Sequence, residues 1–257
     1  MNLCIDVGNT TIGMGFFKEE TLIKKIVLTI DLKKTKDEYI SVIKRTFDEN
    51  HFDVKEVNNI ILSSVVPSIN GALKNALKDL FDIEPMTIAP GIKTGLIIHV
   101  DNPSEIGNDL IAVLVGAKDK YSYPTLIADL GTASKILLLD ESGTFTSCLI
   151  MPGLTLSAES LSNKAALLPE VPLTMPKSIM ASNTLSAMNA GIIYGHADMI
   201  LGLTKRYEDE LGYSCTHILT GGGAVYLKDI LQSDFVYDQN LNLDGLNIIV
   251  NKNIKEE

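Results

Sequence analysis

The chain has 257 residues, 46% of them hydrophobic and 21% charged, which is ordinary for a globular protein and enough for two modest domains with a sizeable core. A net charge of −10 argues against nucleic acid or an anionic membrane as partner, and no apolar run approaches the ~18 residues of a membrane span. Three widely spaced cysteines and four histidines without metal-ligand spacing argue against a disulfide framework and a zinc site.

The first residues, MNLCIDVGNTT, open on a strand-like pattern without the charged-then-apolar run of a signal peptide, so a cytoplasmic location is expected. Apolar or alternating stretches rich in β-branched residues predict strands at 3–7, 13–17, 59–66, 125–129, 135–140, 147–151 and 217–220. Helical periodicity predicts helices at 37–49, 69–81, 105–120, 184–203 and 224–231. In the first of these, Ile40, Ile43 and Phe47 share one face. Strands alternating with helices indicate an α/β fold.

An internal repeat organises the pattern. Residues 3–28 read strand, Asp6-Val7-Gly8-Asn9-Thr10, strand, charged turn, strand. Residues 125–151 read strand, Asp129-Leu130-Gly131-Thr132-Ala133, strand, polar turn, strand. Both copies set an Asp at a strand end, followed by Gly and Thr in a tight hairpin. Two duplicated domains, 1–117 and 118–257, facing each other across a cleft are therefore expected.

A glycine in such a hairpin lets phosphate oxygens reach backbone N–H groups, and the neighbouring Asp can hold a cation that offsets phosphate charge. Either hairpin alone is more simply read as a plain turn, and only the repeat of the pair puts a phosphate clamp on an equal footing. Thr220-Gly221-Gly222-Gly223-Ala224 follows a strand and precedes a helix, a geometry open to close approach of a nucleotide, although it is no Walker loop. Asp109 enters a strongly apolar helix, where a carboxylate can serve either as general base or as a solvated first-turn residue. Gly191 and Gly195 fall on one helix face, which predicts close packing there.

Taken together these segments resemble the type III pantothenate kinases over essentially the whole chain. The resemblance runs through Asp6 to Thr10, Ser63-Ser64-Val65-Val66-Pro67, Gly91-Ile92-Lys93-Thr94-Gly95 and the run from Asp101 to Asp109. It continues through Asp129 to Ala133, Pro152-Gly153, Ala165-Ala166-Leu167-Leu168-Pro169, Asn183-Thr184, Gly191 to Gly195, Thr220-Gly221-Gly222 and Leu241 to Leu246. It implies a duplicated, actin-like (ribonuclease H-like) α/β fold with a nucleotide cleft between the domains, and a homodimer with its acceptor site near the dimer interface. The activity implied is transfer of the γ-phosphate of ATP to pantothenate.

The resemblance also implies roles. Asp6, Val7, Gly8, Asn9, Thr10, Thr11, Ile12 and Gly13 form the first phosphate loop, with Asp6 holding magnesium directly or through water. Thr132, Gly221 and Gly222 contact ATP. Asp129 binds a monovalent cation, potassium or ammonium. Asp109 is the general base, while Val100, Gly107, Asn108, Leu110 and Thr184 contact the acceptor.

Departures from the family pattern gather on the acceptor side. Leu110 stands where an Arg commonly pairs with the pantothenate carboxylate, a contact whose loss costs on the order of 2–5 kcal/mol. Val100 replaces an aromatic residue, Ser147-Cys148 replace Gly-Gly, and Lys135 stands where Thr is usual, offering a positive charge of its own. A paralogous kinase for an uncharged hydroxyl compound (sugar, polyol or nucleoside) is the alternative these departures raise. A non-catalytic regulator that keeps the fold is a second one, opposed by the intact Asp6, Asp109, Asp129 and Thr132.

Overall fold

A computed structural model of the chain describes residues 1–165 and 167–254. The first elements are β1 (Asn2–Val7), β2 (Thr11–Lys18), β3 (Thr21–Thr29), α1 (Lys36–Glu49), β4 (Asn59–Ser64), α2 (Pro67–Phe81) and β5 (Met86–Thr87). There follow β6 (Ile97–Ile98), α3 (Asn108–Lys120), β7 (Thr125–Leu130), β8 (Ala133–Leu139) and β9 (Thr144–Pro152). The last are α4 (Leu154–Lys164), α5 (Thr184–Leu211), β10 (Thr216–Thr220), α6 (Ala224–Leu227), β11 (Val236–Tyr237) and α7 (Leu241–Asn253).

The chain divides into two compact units, but not at a single point. The first holds Met1–Leu96, Asn102–Asp119 and the segment from Leu241 onward, and the second holds Ile97–Asp101 and Lys120–Asn240. Two sequential domains meeting at residue 117 are thus replaced by units that exchange short segments: β6 pairs with β9, and α7 packs on β1, β2 and β4.

The two sheets repeat one topology. In the first unit the strand order is β3-β2-β1-β4-β5, an antiparallel meander with β4 parallel to β1 and β5 parallel to β4. In the second it is β11-β10-β7-β8-β9-β6, again a meander, with β10 parallel to β7 and β11 parallel to β10. The hairpin copies seen in the sequence are therefore the first turns of two equivalent sheets.

Strand period two sets the first core. Leu3, Ile5 and Val7 of β1 pack against α1 and α2 residues such as Ile43, Phe47, Leu73 and Leu77. Cys4 faces the other way, onto Ala112 and Val115 of α3 and Leu243, Leu246 and Ile249 of α7. A sheet covered on both faces explains why β1 is buried at nearly every position. Helices α3 and α7 cross at Gly116 and Gly245: a Cβ at Gly245 would strike the Ala112 carbonyl, and one at Gly116 the Leu241 carbonyl. In the second unit Ala128, Leu130 and Leu219 bury against Leu154, Ile193 and Ile200.

Helix ends follow capping chemistry. The Asn183 side chain accepts from Ser186 N at 2.9 Å, and α5 stops at Gly212 in the left-handed region, φ +78°. It runs to Leu211, past the predicted end at 203, because no breaker intervenes before that glycine. Helices α4 and α7 have no counterpart in the sequence reading, and α6 is shorter than predicted. Among the described residues no helix is long and apolar enough to cross a membrane.

Candidate active-site residues

In the first unit, β1 delivers Asp6 and Val7 to a turn closed by the Gly8 N–H donating to Thr11 O at 2.9 Å. Asn9, Thr10 and Thr11 are exposed at its tip, whereas Val7 and Ile12 anchor it in the core. Asp6 lies directly opposite Gly13 in the β1–β2 register, so the partner strand presents no side chain to that carboxylate. By the same alternation Asp6 shares the face of Cys4, and Asn242 of α7 donates its amide to Asp6 Oδ2 at 2.8 Å. Asn242 is positioned in turn by the Leu243 N–H, which donates to its Oδ1 at 2.8 Å.

The second unit builds the equivalent turn with one residue fewer between the paired positions. The Gly131 N–H donates to Ala133 O at 3.2 Å, and Gly131 and Thr132 are exposed. Gly153 packs beneath it, its N–H donating to Thr132 O at 3.0 Å. Here the residue opposite the aspartate is not glycine: Asp129 pairs in register with Lys135. Lys135 Nζ lies 3.1 Å from Asp129 Oδ2, with the two side chains only 15% and 11% exposed.

The glycine loop after β10 closes over the same aspartate. Gly221 has φ +89°, and a Cβ there would come within 2.7 Å of Asp129 Oδ1 and 2.6 Å of Leu130 N. Gly222 is exposed with open space around it, and the Gly223 N–H donates to Leu130 O at 2.7 Å. Asp129, Lys135 and Gly221 therefore form one packed cluster beneath the second turn.

Asp109 occupies the first turn of α3, where an acidic side chain complements the helix dipole. Its carboxylate folds back over Gly107, so closely that a Cβ at 107 would collide with Oδ1. Gly107 is thus what permits this rotamer, and its carbonyl accepts from Leu110 N at 3.0 Å. Asn108 and Asp109 are half-buried, and Leu110 is buried, 9% exposed. Val100, half-buried, and Thr184, exposed at the start of α5, belong to the second unit. Thr184 lines an open cavity of about 960 Å³ together with Leu161, Asn183, Met188, Gly191 and Gly195. The two glycines do not mediate helix packing, as nothing lies within 4 Å of where their Cβ atoms would be.

His196, largely buried, also lines that cavity, and its Nε2 meets Ser134 Oγ at 2.8 Å. Burial lowers the His196 pKa below the ordinary imidazole value, which favours the neutral ring. Burial likewise raises the Cys148 thiol, keeping it protonated, with the Lys135 charge opposing that shift. The Asn242–Asp6 bond, the Lys135–Asp129 pair and the Ser134–His196 contact all escaped the sequence reading; only the Asp129–Lys135 hairpin register carried a local signal. Ala166, in the segment from Ala165 to Pro169, lies outside the described residues.

A family profile described as type III pantothenate kinase matches residues 2–206. A type III pantothenate kinase of Halalkalibacterium halodurans is 37% identical over 254 residues, covering 99% of this chain and 100% of that one. One from Exiguobacterium sibiricum is 39% identical over 253 residues, covering 98% and 100%. Among solved structures, MreB 5 of Spiroplasma citri bound to AMPPNP superposes with a TM-score of 0.51 at 12% identity, covering 98% of this chain and 97% of that one. At that identity the likeness concerns the actin-like fold alone.

Proposed function

This chain belongs to the type III pantothenate kinase family, and from that membership we propose how its residues divide the work of moving a phosphoryl group from ATP to pantothenate. It is an ATP-dependent phosphotransferase with a hydroxyl acceptor. The observation that carries the reading is the full-length match together with Asp6, Asp109 and Asp129, each at the end or start of a regular element.

Phosphoryl transfer asks a protein mainly for positioning and charge stabilisation. We assign the Gly8–Thr11 turn and the Gly131–Thr132 turn to the phosphates of ATP, through exposed backbone N–H groups and the Thr132 hydroxyl, with Gly221 and Gly222 beside the nucleotide. Magnesium fits Asp6: a carboxylate oxygen is a hard donor, and such an ion is commonly held by one or two carboxylates plus substrate phosphates. Held there, the ion would neutralise phosphate charge. Asp109 takes the proton of the acceptor hydroxyl, its rotamer set by Gly107. Val100, Gly107, Asn108, Leu110 and Thr184 are assigned to the acceptor.

The potassium or ammonium ion implied at Asp129 does not fit the residues present, because the Lys135 ammonium lies on that carboxylate. The working form is taken to be a cytoplasmic homodimer without a nucleic-acid partner. Exposed apolar side chains on the second unit, among them Ile150, Ile179 and Met180, favour the dimer, and the net charge of −10 opposes a polyanion.

Leu110 favours one second reading, a kinase for an uncharged hydroxyl compound, since a buried isobutyl group makes no ion pair with a carboxylate. A coupled ADP-release assay with magnesium and ATP decides between them, offering pantothenate beside sugars, polyols and nucleosides. Turnover of pantothenate above all others supports the first reading. Turnover only on a neutral acceptor replaces it with the second, and silence on every acceptor overturns both.

A further inference from the structure

The two sheets of this chain treat equivalent aspartates differently. Asp6 faces Gly13 across its hairpin, where the strand opposite contributes no side chain. Asp129, at the same place in the second sheet, faces Lys135. Directly opposed residues on neighbouring strands point to the same side of the sheet, and the register alone puts ammonium and carboxylate within reach. The contact is made at 3.1 Å, in surroundings that leave both side chains largely covered. Gly221, on the loop from β10, closes the other side of the carboxylate and leaves room there for no side chain at all.

From this we infer that Lys135 is the built-in cation of the second hairpin, a tethered ammonium occupying the place where a potassium or ammonium ion would neutralise Asp129, so that this kinase works without a monovalent cation. The inference rests on the kinase reading above. Its chemistry is direct. A primary ammonium and the ammonium ion present the same charge and N–H donors to a carboxylate, and the tether holds the former in register without drawing on the solution. An ion from solvent would have to displace a tethered, largely covered partner. The site also predicts its own reversal: a short hydroxylated side chain at 135 would vacate the position and expose Asp129 to a mobile cation.

The test compares wild type and Lys135→Thr in the ADP-release assay with magnesium, ATP and pantothenate, in chlorides of potassium, ammonium, sodium or choline at equal ionic strength. Wild-type turnover is expected to vary by less than about twofold among the four salts, and the variant to run at least about tenfold faster in potassium or ammonium than in choline. Thallium-205 NMR in the presence of magnesium and ADP reads cation binding without turnover. It should find saturable thallium binding in the variant and none in wild type. Potassium-dependent wild-type turnover, saturable thallium binding to wild type, or a variant indistinguishable from wild type in both measurements overturns the inference. Should the variant fail to fold, the wild-type salt series and thallium titration decide alone. A wild type silent on every acceptor removes the kinase reading, while the thallium titration still decides the role of Lys135.

Discussion

Gly221 and Gly222 are neighbours in one loop, yet adding a methyl group to each has opposite expected consequences. At Gly221 the backbone sits at φ +89°, and an alanine there costs about 1–2 kcal/mol in left-handed strain. Its Cβ would also press to 2.6 Å from Leu130 N and 2.7 Å from Asp129 Oδ1, an overpacking penalty of about 1–3 kcal/mol in a site that has little freedom to relax. The sum is about 2–5 kcal/mol for Gly221→Ala. Gly222 has nothing within 4 Å and no positive φ, so Gly222→Ala should stay within about 1 kcal/mol of wild type, with a small gain from reduced unfolded-state entropy. Urea unfolding followed by circular dichroism is the assay, fitted with one transition per unit where two resolve. At roughly 3 kcal/mol per M, Gly221→Ala should lower the midpoint by about 0.7–1.7 M and Gly222→Ala by almost nothing. Equal midpoints for the two variants would refute the close packing of this loop on Asp129.

Asp109→Asn should lower turnover about 10²- to 10⁴-fold while ATP affinity by calorimetry changes by less than about twofold; unchanged turnover would remove Asp109 as the base. Asn242→Ala deletes the amide that donates to Asp6 Oδ2 and should destabilise the first unit by about 1.5–3 kcal/mol in the same urea assay, with weaker magnesium–ATP binding; a silent variant would mean α7 does not position Asp6. His196 adds a pH dependence with a defined sign. Burial places its folded pKa below the unfolded value of ~6.5, so the unfolded chain binds the proton first as pH falls. The stability it contributes is therefore complete above pH ~6.5 and is lost progressively below it. His196→Gln should show a shallower fall in urea midpoint between about pH 7 and 5 than wild type, and parallel curves would contradict this.

The sequence by itself determined whatever depends on neighbours along the chain. Strand alternation located β1, β2, β7 and β8, and an aspartate followed by glycine and threonine marked both hairpins, because a tight turn constrains only a handful of consecutive residues. The repeat of that pattern announced the duplicated fold, which the two matching strand orders bear out. Helix α7 stayed hidden because its residues, rich in Asn and with Gly245 at the centre, are poor helix formers in isolation. Its helicity comes from the face it buries on β1 and α3, where Gly245 allows the close crossing. Tertiary structure alone decided that this segment returns to the first unit and brings Asn242 to Asp6 across 236 positions of chain. It also decided that Gly191 and Gly195 border a cavity instead of a packed helix. Lys135 lies between the two cases. Its hairpin register follows from the turn, but that its charge is held by Asp129 depends on burial and on the Gly221 loop arriving from another strand, and no local pattern encodes either.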